Sequence, residues 1–388
     1  MNKKKLKIIH LTSAHPRNDT RVFVKMCSSL ANQGHDVSLI VADGLGDETK
    51  SGVKIFDVGV AKNRFYRIFF TTLKVYKMAI KQNVEVYHFH DPELLLISWL
   101  LKLFSRSEII YDVHENIKKD ILGKVWLPFY SRKIIAFLFV LIEKLALKFI
   151  DYIIIAEDSY VENYKNRNNV VSVRNYPIIG LRNKNITLKN IKDDSHLNIL
   201  YVGGVTKIRG AIELIESLNF LLLAGYKNIK LKLIGPIYID FKNELFELIN
   251  KYRLNSYVSI PGVISHKKVY DELERAHIGL SILHPDPNFI ESIPTKLYEY
   301  MSVGIPVIAS NFTLWKKIID MHKCGICVNP LNPKDIAKAI IYIIDNPIKS
   351  MKMGANGIAP VEDLYNWEKE SLKLIKIYDE ILLIKRLD

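Results

Sequence analysis

The 388-residue chain reads as an α/β protein of two domains, each built on a parallel sheet. Three observations predict this. The length exceeds what one hydrophobic core usually organises. From Lys7 to His90, apolar β-runs (KIIHL, VSLIVA, KIFDVG, VEVYHFH) alternate with helical periodicity such as Arg21 to Gln33, the pattern of a parallel sheet with helices on both faces. A second series (LNILYVGG, KLKLIG, VSIPG, IGLSIL, PVIAS, GICVNP) follows a polar, Asn- and Lys-rich segment. The expected boundaries are 1–177 for the first domain, 178–196 for a linker and 197–364 for the second domain. A long amphipathic helix over about 365–388 closes the chain.

Hydrophobic residues at 49% and charged residues at 25% describe an ordinary globular protein, but the net charge of +14 calls for an anionic partner. Nucleic acid is disfavoured, since no recognition helix is evident and the basic residues are spread along the chain. The opening MNKKKLKIIHLTSAH has too short an apolar part for a signal peptide and reads as the first strand. The longest apolar run, Ile134 to Ile142, falls short of the ~18 residues that spanning needs. Three cysteines without an export signal fit a reducing, cytoplasmic setting, and the Cys324/Cys327 pair lacks further ligands.

In parallel sheets ligands gather at the carboxyl ends of the strands. After the first β-run, His15, Arg17, Asp19 and Arg21 crowd a loop and helix start, with Asp19 suited to capping that helix. The fourth run ends in His88, His90 and Asp91, and the fifth in Asp112, His114 and Glu115. Strand alternation separates His88 and His90 from Asp91, so three strong metal ligands are hard to assemble and no metal is expected. The run KVWLPFYSRKIIAFLFVLIEKLALKF within 118–149 mixes aromatic and apolar residues with lysines and arginine. It suits a helix lying on an anionic bilayer, and equally a core helix with a basic edge.

The second series opens with YVGGVTKIRG. Gly203 and Gly204 permit a tight turn, and Lys207 and Arg209 bring charge to a helix start. Gly235 and the Val263–Ile264 pair sit at the next two strand ends. In ESIPTKLYEYMSVGIPVIAS, Pro294 suits the first helical position, so the N–H groups of Thr295, Lys296 and Leu297 would form an anion site. Lys296 adds charge there. Glu299 is placed to accept from sugar hydroxyls, and Glu291 precedes the helix. A solvated amphipathic helix with surface carboxylates has the same look.

The spacing of Glu291 and Glu299, followed by GIPVIAS, resembles the donor motif of retaining glycosyltransferases of family 4, which have the GT-B fold of two Rossmann-like domains facing across a cleft. The resemblance implies a hexosyltransferase that moves sugar from a nucleotide diphosphate sugar, with UDP the commonest base, to a lipid-linked saccharide in surface polysaccharide biosynthesis at the inner membrane face. It implies that Glu299 holds the ribose, that the 295–297 backbone and Arg209 meet the diphosphate, that Val263 and Ile264 meet the base, and that Glu291 and His114 contact the sugar. His15 and Arg21 become acceptor-side candidates, with His90 and Asp91 supporting the cleft floor, and the final helix returns to the first domain. Where many members have Gly-rich sequence after the first glutamate, this chain has Ser292, Ile293 and Pro294; where many have an arginine after the first glycine it has Gly204, and Lys207 stands nearby. The rival readings are a GT-B nucleotide-sugar epimerase and a noncatalytic GT-B partner subunit.

Overall fold

The two alternating series fold into two sheets. The computed structural model describes residues 5–124, 127–183, 186, 188, 191 and 196–387. The chain divides into two units, Met1–Asn175 with Trp367–Asp388, and Tyr176–Asn366.

The first unit carries β1 (Lys7–Leu11), β2 (Asp36–Val41), β3 (Glu48–Lys50), β4 (Val53–Asp57), β5 (Val86–Phe89), β6 (Glu108–Val113), β7 (Tyr152–Ile155) and β8 (Val170–Ser172). Their spatial order is β3-β4-β2-β1-β5-β6-β7-β8. All neighbours are parallel except β3 with β4. β3 was not foreseen, because its sequence ETK has no apolar alternation and all three residues are exposed. The helices are α1 (Ser28–Asn32), entered through a π-wound stretch Thr20–Cys27, then α2 (Arg64–Tyr66), α3 (Thr72–Lys81), α4 (Leu95–Phe104), α5 (Ile117–Gly123) and α6 (Phe129–Ala146). One sheet face buries Ile9, Leu11, Phe89, Ile109, Tyr111 and Val113 in an apolar core. On the other, His10 lies beside His88 and His88 beside Ile110 in register. Alternation along three adjacent strands therefore brings His10, His88, His90, Asp112 and His114 to that one face.

The second unit carries β9 (Leu197–Val202), β10 (Ile229–Ile234), β11 (Val258–Gly262), β12 (Ile278–Ser281), β13 (Val307–Ser310) and β14 (Gly325–Val328), in the order β11-β10-β9-β12-β13-β14. All pairs are parallel, and α7 (Ala211–Leu223), α8 (Ile239–Lys251), α9 (His266–Arg275), α10 (Pro287–Ile290), α11 (Thr295–Ser302), α12 (Thr313–His322), α13 (Pro333–Asp345) and α14 (Pro347–Asp363) accompany them. Separate apolar clusters fill the two faces. Near-continuous apolar strands such as VIAS follow from burial on both sides.

Of the expected linker, 178–183, 186, 188, 191 and 196 are described. Arg182 donates to the Ser302 carbonyl at 2.5 Å and pairs with Glu362, which fastens this segment to the second unit. The last helix, α15 (Trp367–Leu387), belongs to the first unit, where Trp367 Nε1 donates to Ser29 Oγ at 2.9 Å. Among the described residues no helix is long and apolar enough to cross a membrane.

Candidate functional site

Each unit gathers polar residues at its strand ends. In the second unit the centre is the turn after β9. Gly203 has φ +136° and Gly235, after β10, has φ +147°; a Cβ on Gly235 would lie 1.9 Å from the Gly203 carbonyl oxygen, so the two backbones pack against each other directly. Around the position of a Gly203 Cβ stand Lys296 Nζ at 3.1 Å, Tyr201 Oη at 3.4 Å and Arg209 Nη1 at 3.6 Å. Two cations thus converge on a residue without a side chain.

Lys296 is 7% exposed, and its Nζ has no hydrogen-bond partner among the described residues. The amine sits 3.8 Å from the centroid of the Tyr201 ring, a cation–π contact. Burial, then the nearby Arg209 charge, push the Lys296 pKa well below its ordinary value, while Glu299 opposes them. Burial likewise raises the Tyr201 phenol to about 12. Arg209 stacks over Phe289 at 5.6 Å, and Tyr201 Oη donates to the Gly204 carbonyl at 2.9 Å.

α11 begins at Thr295 with Pro294 as its N-cap (φ −69°, ψ 136°), one position later than the expectation that Pro294 is the first helical residue. The Leu297 N–H donates to the Pro294 carbonyl at 3.0 Å, so it is not available to an anion, which corrects the expected trio of donors. Closing the first turn consumes that N–H. Glu299 is buried on α11, and Glu291 is half-buried at the end of α10. Lys207 is turned to the surface, where it pairs with Glu244 at 2.6 Å. Val263 is exposed beyond β11, with Ile264 half-buried.

In the first unit Asp19 caps the π-wound stretch, accepting from the Arg21 and Val22 N–H groups at 2.8 Å. Arg21 grips Asp112 with two hydrogen bonds, at 2.9 and 2.6 Å, in a fully buried pair. This pair commits Arg21 Nε and Nη2 to the carboxylate. Asp112 also faces His90 Nδ1 at 3.2 Å and His114 Nε2 at 2.8 Å. Although burial opposes it, Arg21 and the two imidazoles hold the Asp112 pKa well below the usual range.

Three strong ligand atoms do meet here, contrary to expectation: His10, His88 and His90 form one such group, and His90, Asp112 and His114 another, each with its atoms within 4.8 Å. Alternation along a single strand hid what register between strands assembles. The interactions present are hydrogen bonds: His10 Nδ1 lies 2.8 Å from His90 Nε2, and His88 Nδ1 lies 2.7 Å from the Tyr378 hydroxyl of α15. An anionic Asp112 accepts from His114 Nε2–H. Asp91 pairs with His15 at 2.8 Å and accepts from Thr12 Oγ1 and the Ser13 N–H. Burial lowers the His15 pKa, but Asp91 outweighs it and raises the value to about 9.

Reading residues alone missed Tyr201, Phe289 and Tyr378. Tyr201 had a signal, since it stands near the end of a strand, two residues before the glycine turn. Phe289 and Tyr378 reach their partners only through folding.

Residues 183–359 match the family model described as Glycosyl transferases group 1. An uncharacterized glycosyltransferase of Haemophilus influenzae is 22% identical over 356 residues, covering 90% of this chain and 92% of the relative. Among solved structures, sucrose-phosphate synthase from Thermosynechococcus elongatus superposes with a TM-score of 0.76 at 17% identity, covering 97% and 99% of the two chains. Anabaena HepE in complex with UDP and glucose gives 0.70 at 13% identity, covering 96% and 99%. Such likenesses fix the fold. Residues 183–359 match the Glycosyl transferases group 1 family model, the chain has the GT-B fold of these structures, and the matches support a glycosyltransferase.

Proposed function

We propose that this protein transfers a hexose from a UDP-sugar to a lipid-linked saccharide, with retention of configuration and without a metal, in the building of a surface polysaccharide. The observation that carries this reading is the convergence of Lys296 and Arg209 on Gly203. A bare backbone flanked by two cations, one of them a buried amine with no hydrogen-bond partner among the described residues, suits a diphosphate. When the bond from sugar to phosphate oxygen breaks, the charge gathers on the departing diphosphate, and these cations stabilise it where a metal would otherwise serve. Glu299 takes the ribose hydroxyls, Glu291 the sugar, and His114 hydrogen-bonds a sugar hydroxyl. The acceptor hydroxyl attacks from the face the diphosphate leaves and passes its proton to the departing phosphate oxygen, so no covalent enzyme intermediate forms. The named ligands of HepE, UDP and glucose, support a nucleotide-sugar donor.

The lipid-linked acceptor and a peripheral position on the inner face of an anionic membrane are supported by α6. It exposes Phe129, Tyr130, Ile134, Phe137, Leu138, Leu141 and Leu145 beside Arg132, Lys133 and Lys144.

Thermal unfolding with UDP, GDP, ADP and CDP tests the donor site. UDP at ~100 times its Kd stabilises by about 2.7 kcal/mol, a rise of a few degrees in Tm. The rise is expected to vanish in Lys296→Ala and Glu299→Ala and to survive EDTA. No rise with any nucleotide in folded protein, or a rise that EDTA removes, rejects the reading.

A further inference from the structure

We propose that Glu213 and His284 are a positioning pair for Arg209: they clamp the segment after β12 onto the turn before α7, so that the guanidinium is held at Gly203 before a donor arrives. The inference rests on the reading in which Arg209 meets the diphosphate, and it adds two residues that act through Arg209.

Arg209 ends a single short turn, Lys207–Arg209, which has too little internal bonding to hold a side chain in place. What steadies it comes from the segment after β12. Gly210 follows the turn with φ +76°, and a Cβ there would lie 2.6 Å from the Ile282 carbonyl oxygen, so the turn rests directly on that backbone. The His284 N–H donates to the Ile208 carbonyl at 2.8 Å. This segment is itself anchored to the sheet. The Leu283 N–H donates to Ser310 Oγ at the end of β13, and that hydroxyl donates back to the Leu283 carbonyl, both at 2.8 Å. Further along the same segment, the Phe289 ring lies 5.6 Å from the Arg209 guanidinium.

Side chains close the clamp. Glu213, in the first turn of α7, has one oxygen 3.0 Å from His284 Nε2, and the two side chains are only 14% and 25% exposed. The other Glu213 oxygen is buried with no hydrogen-bond partner among the described residues. A carboxylate so poorly served is a weak source of stability, and two apolar side chains would join the segments at least as well. What the polar pair supplies is direction. It admits one register of the segment on the turn, and therefore one place for Phe289 and for the guanidinium beside it.

Arginine-selective 15N NMR and titration calorimetry with UDP, both on the full chain, test this. The Arg209 Nε–H signal is assigned by its loss in Arg209→Met. In the ligand-free native protein it is expected to be as ordered as the backbone. In His284→Leu it should become mobile, and UDP should bind about tenfold more weakly, a loss of about 1.4 kcal/mol. His284→Gln, whose amide still donates to Glu213, is expected to restore both, which a packing role alone would not do. In the Arg209→Met background, His284→Leu should cost no further UDP affinity, as befits a residue that acts through Arg209. Should His284→Leu fail to fold, Glu213→Leu combined with His284→Leu buries no unpaired charge and is expected to show the same loosening. An ordered Arg209 in the folded Leu variant overturns the proposal, as does an equal loss of UDP affinity with and without Arg209. If Arg209 loosens as expected while UDP does not bind the native protein, the pair stands and the donor reading fails.

Discussion

Lys296 is the residue whose surroundings most constrain the chemistry. Burial and Arg209 lower its pKa, so the empty site disfavours the charged form of the amine. A diphosphate placed against it reverses the balance, because an adjacent anion stabilises the charged form. Nucleotide binding is therefore expected to raise the amine's pKa and to be coupled to proton uptake at pH values between its free and bound pKa. Titration calorimetry with UDP in buffers of different ionisation enthalpy measures this directly. The apparent enthalpy should vary with the buffer in the native protein and not in Lys296→Met; buffer-independent heats in both would mean that the amine does not titrate on binding. The candidate donor residues lay close together in sequence, so Pro294 to Glu299 were legible as a unit. That Leu297 spends its N–H on Pro294, and that Lys207 turns to Glu244, were not. Both depend on how a turn closes and on which surface neighbour lies within reach.

At the scale of elements, α6 is the part most open to test. Phe137 is 68% exposed and Tyr130 81%, on a helix that a globular core would normally cover. Neighbouring α4 exposes Trp99, Leu103 and Phe104. Sedimentation with vesicles containing anionic lipid is expected to bring the protein down at low salt and release it at high salt, since screening weakens the basic contribution. Phe137→Asp should reduce the bound fraction by about tenfold, given the cost of burying a charge among acyl chains. A protein that remains in the supernatant with anionic vesicles at low salt excludes this use of the helix. The composition of 118–149 was legible as amphipathic and basic. Its division into α5 and α6 was not, because helix packing is set by long-range contacts. The histidines teach the same lesson. Each strand announced its own, but only the register of β1, β5 and β6 unites them around Asp112.

For the molecule as a whole, the buried imidazoles set the response to acid. Burial is the main reason that His10 and His88 titrate well below the ordinary value and that His90 falls to about 4. In the unfolded chain all three take up protons near pH 6.5. As pH falls through that value the unfolded state gains protons that the folded state refuses, so stability declines by up to about 1.4 kcal/mol per pH unit for each imidazole. The depressed Asp112 carboxyl adds a loss at lower pH. His15 acts at the other end: raised to about 9, its contribution is complete below pH 6.5 and lost as pH rises through 9. Urea unfolding at pH 7.5, 6 and 5 should show a steep acid decline, and a flat profile would sink this account. The two-sheet plan was readable because apolar alternation is local. The antiparallel β3 and the partners of α15 were not.

The chain passes from the first unit to the second after Asn175 and returns after Asn366. The sheet begun at Lys7 acquires Trp367 against Ser29, Glu370 against the Arg174 N–H and Tyr378 against His88 only from the returning helix. During synthesis the earliest strands leave the ribosome first yet wait longest for their full covering. The second unit, contiguous from Tyr176 to Asn366, has all its own segments before that helix emerges, so the order of emergence and the order of completion are reversed.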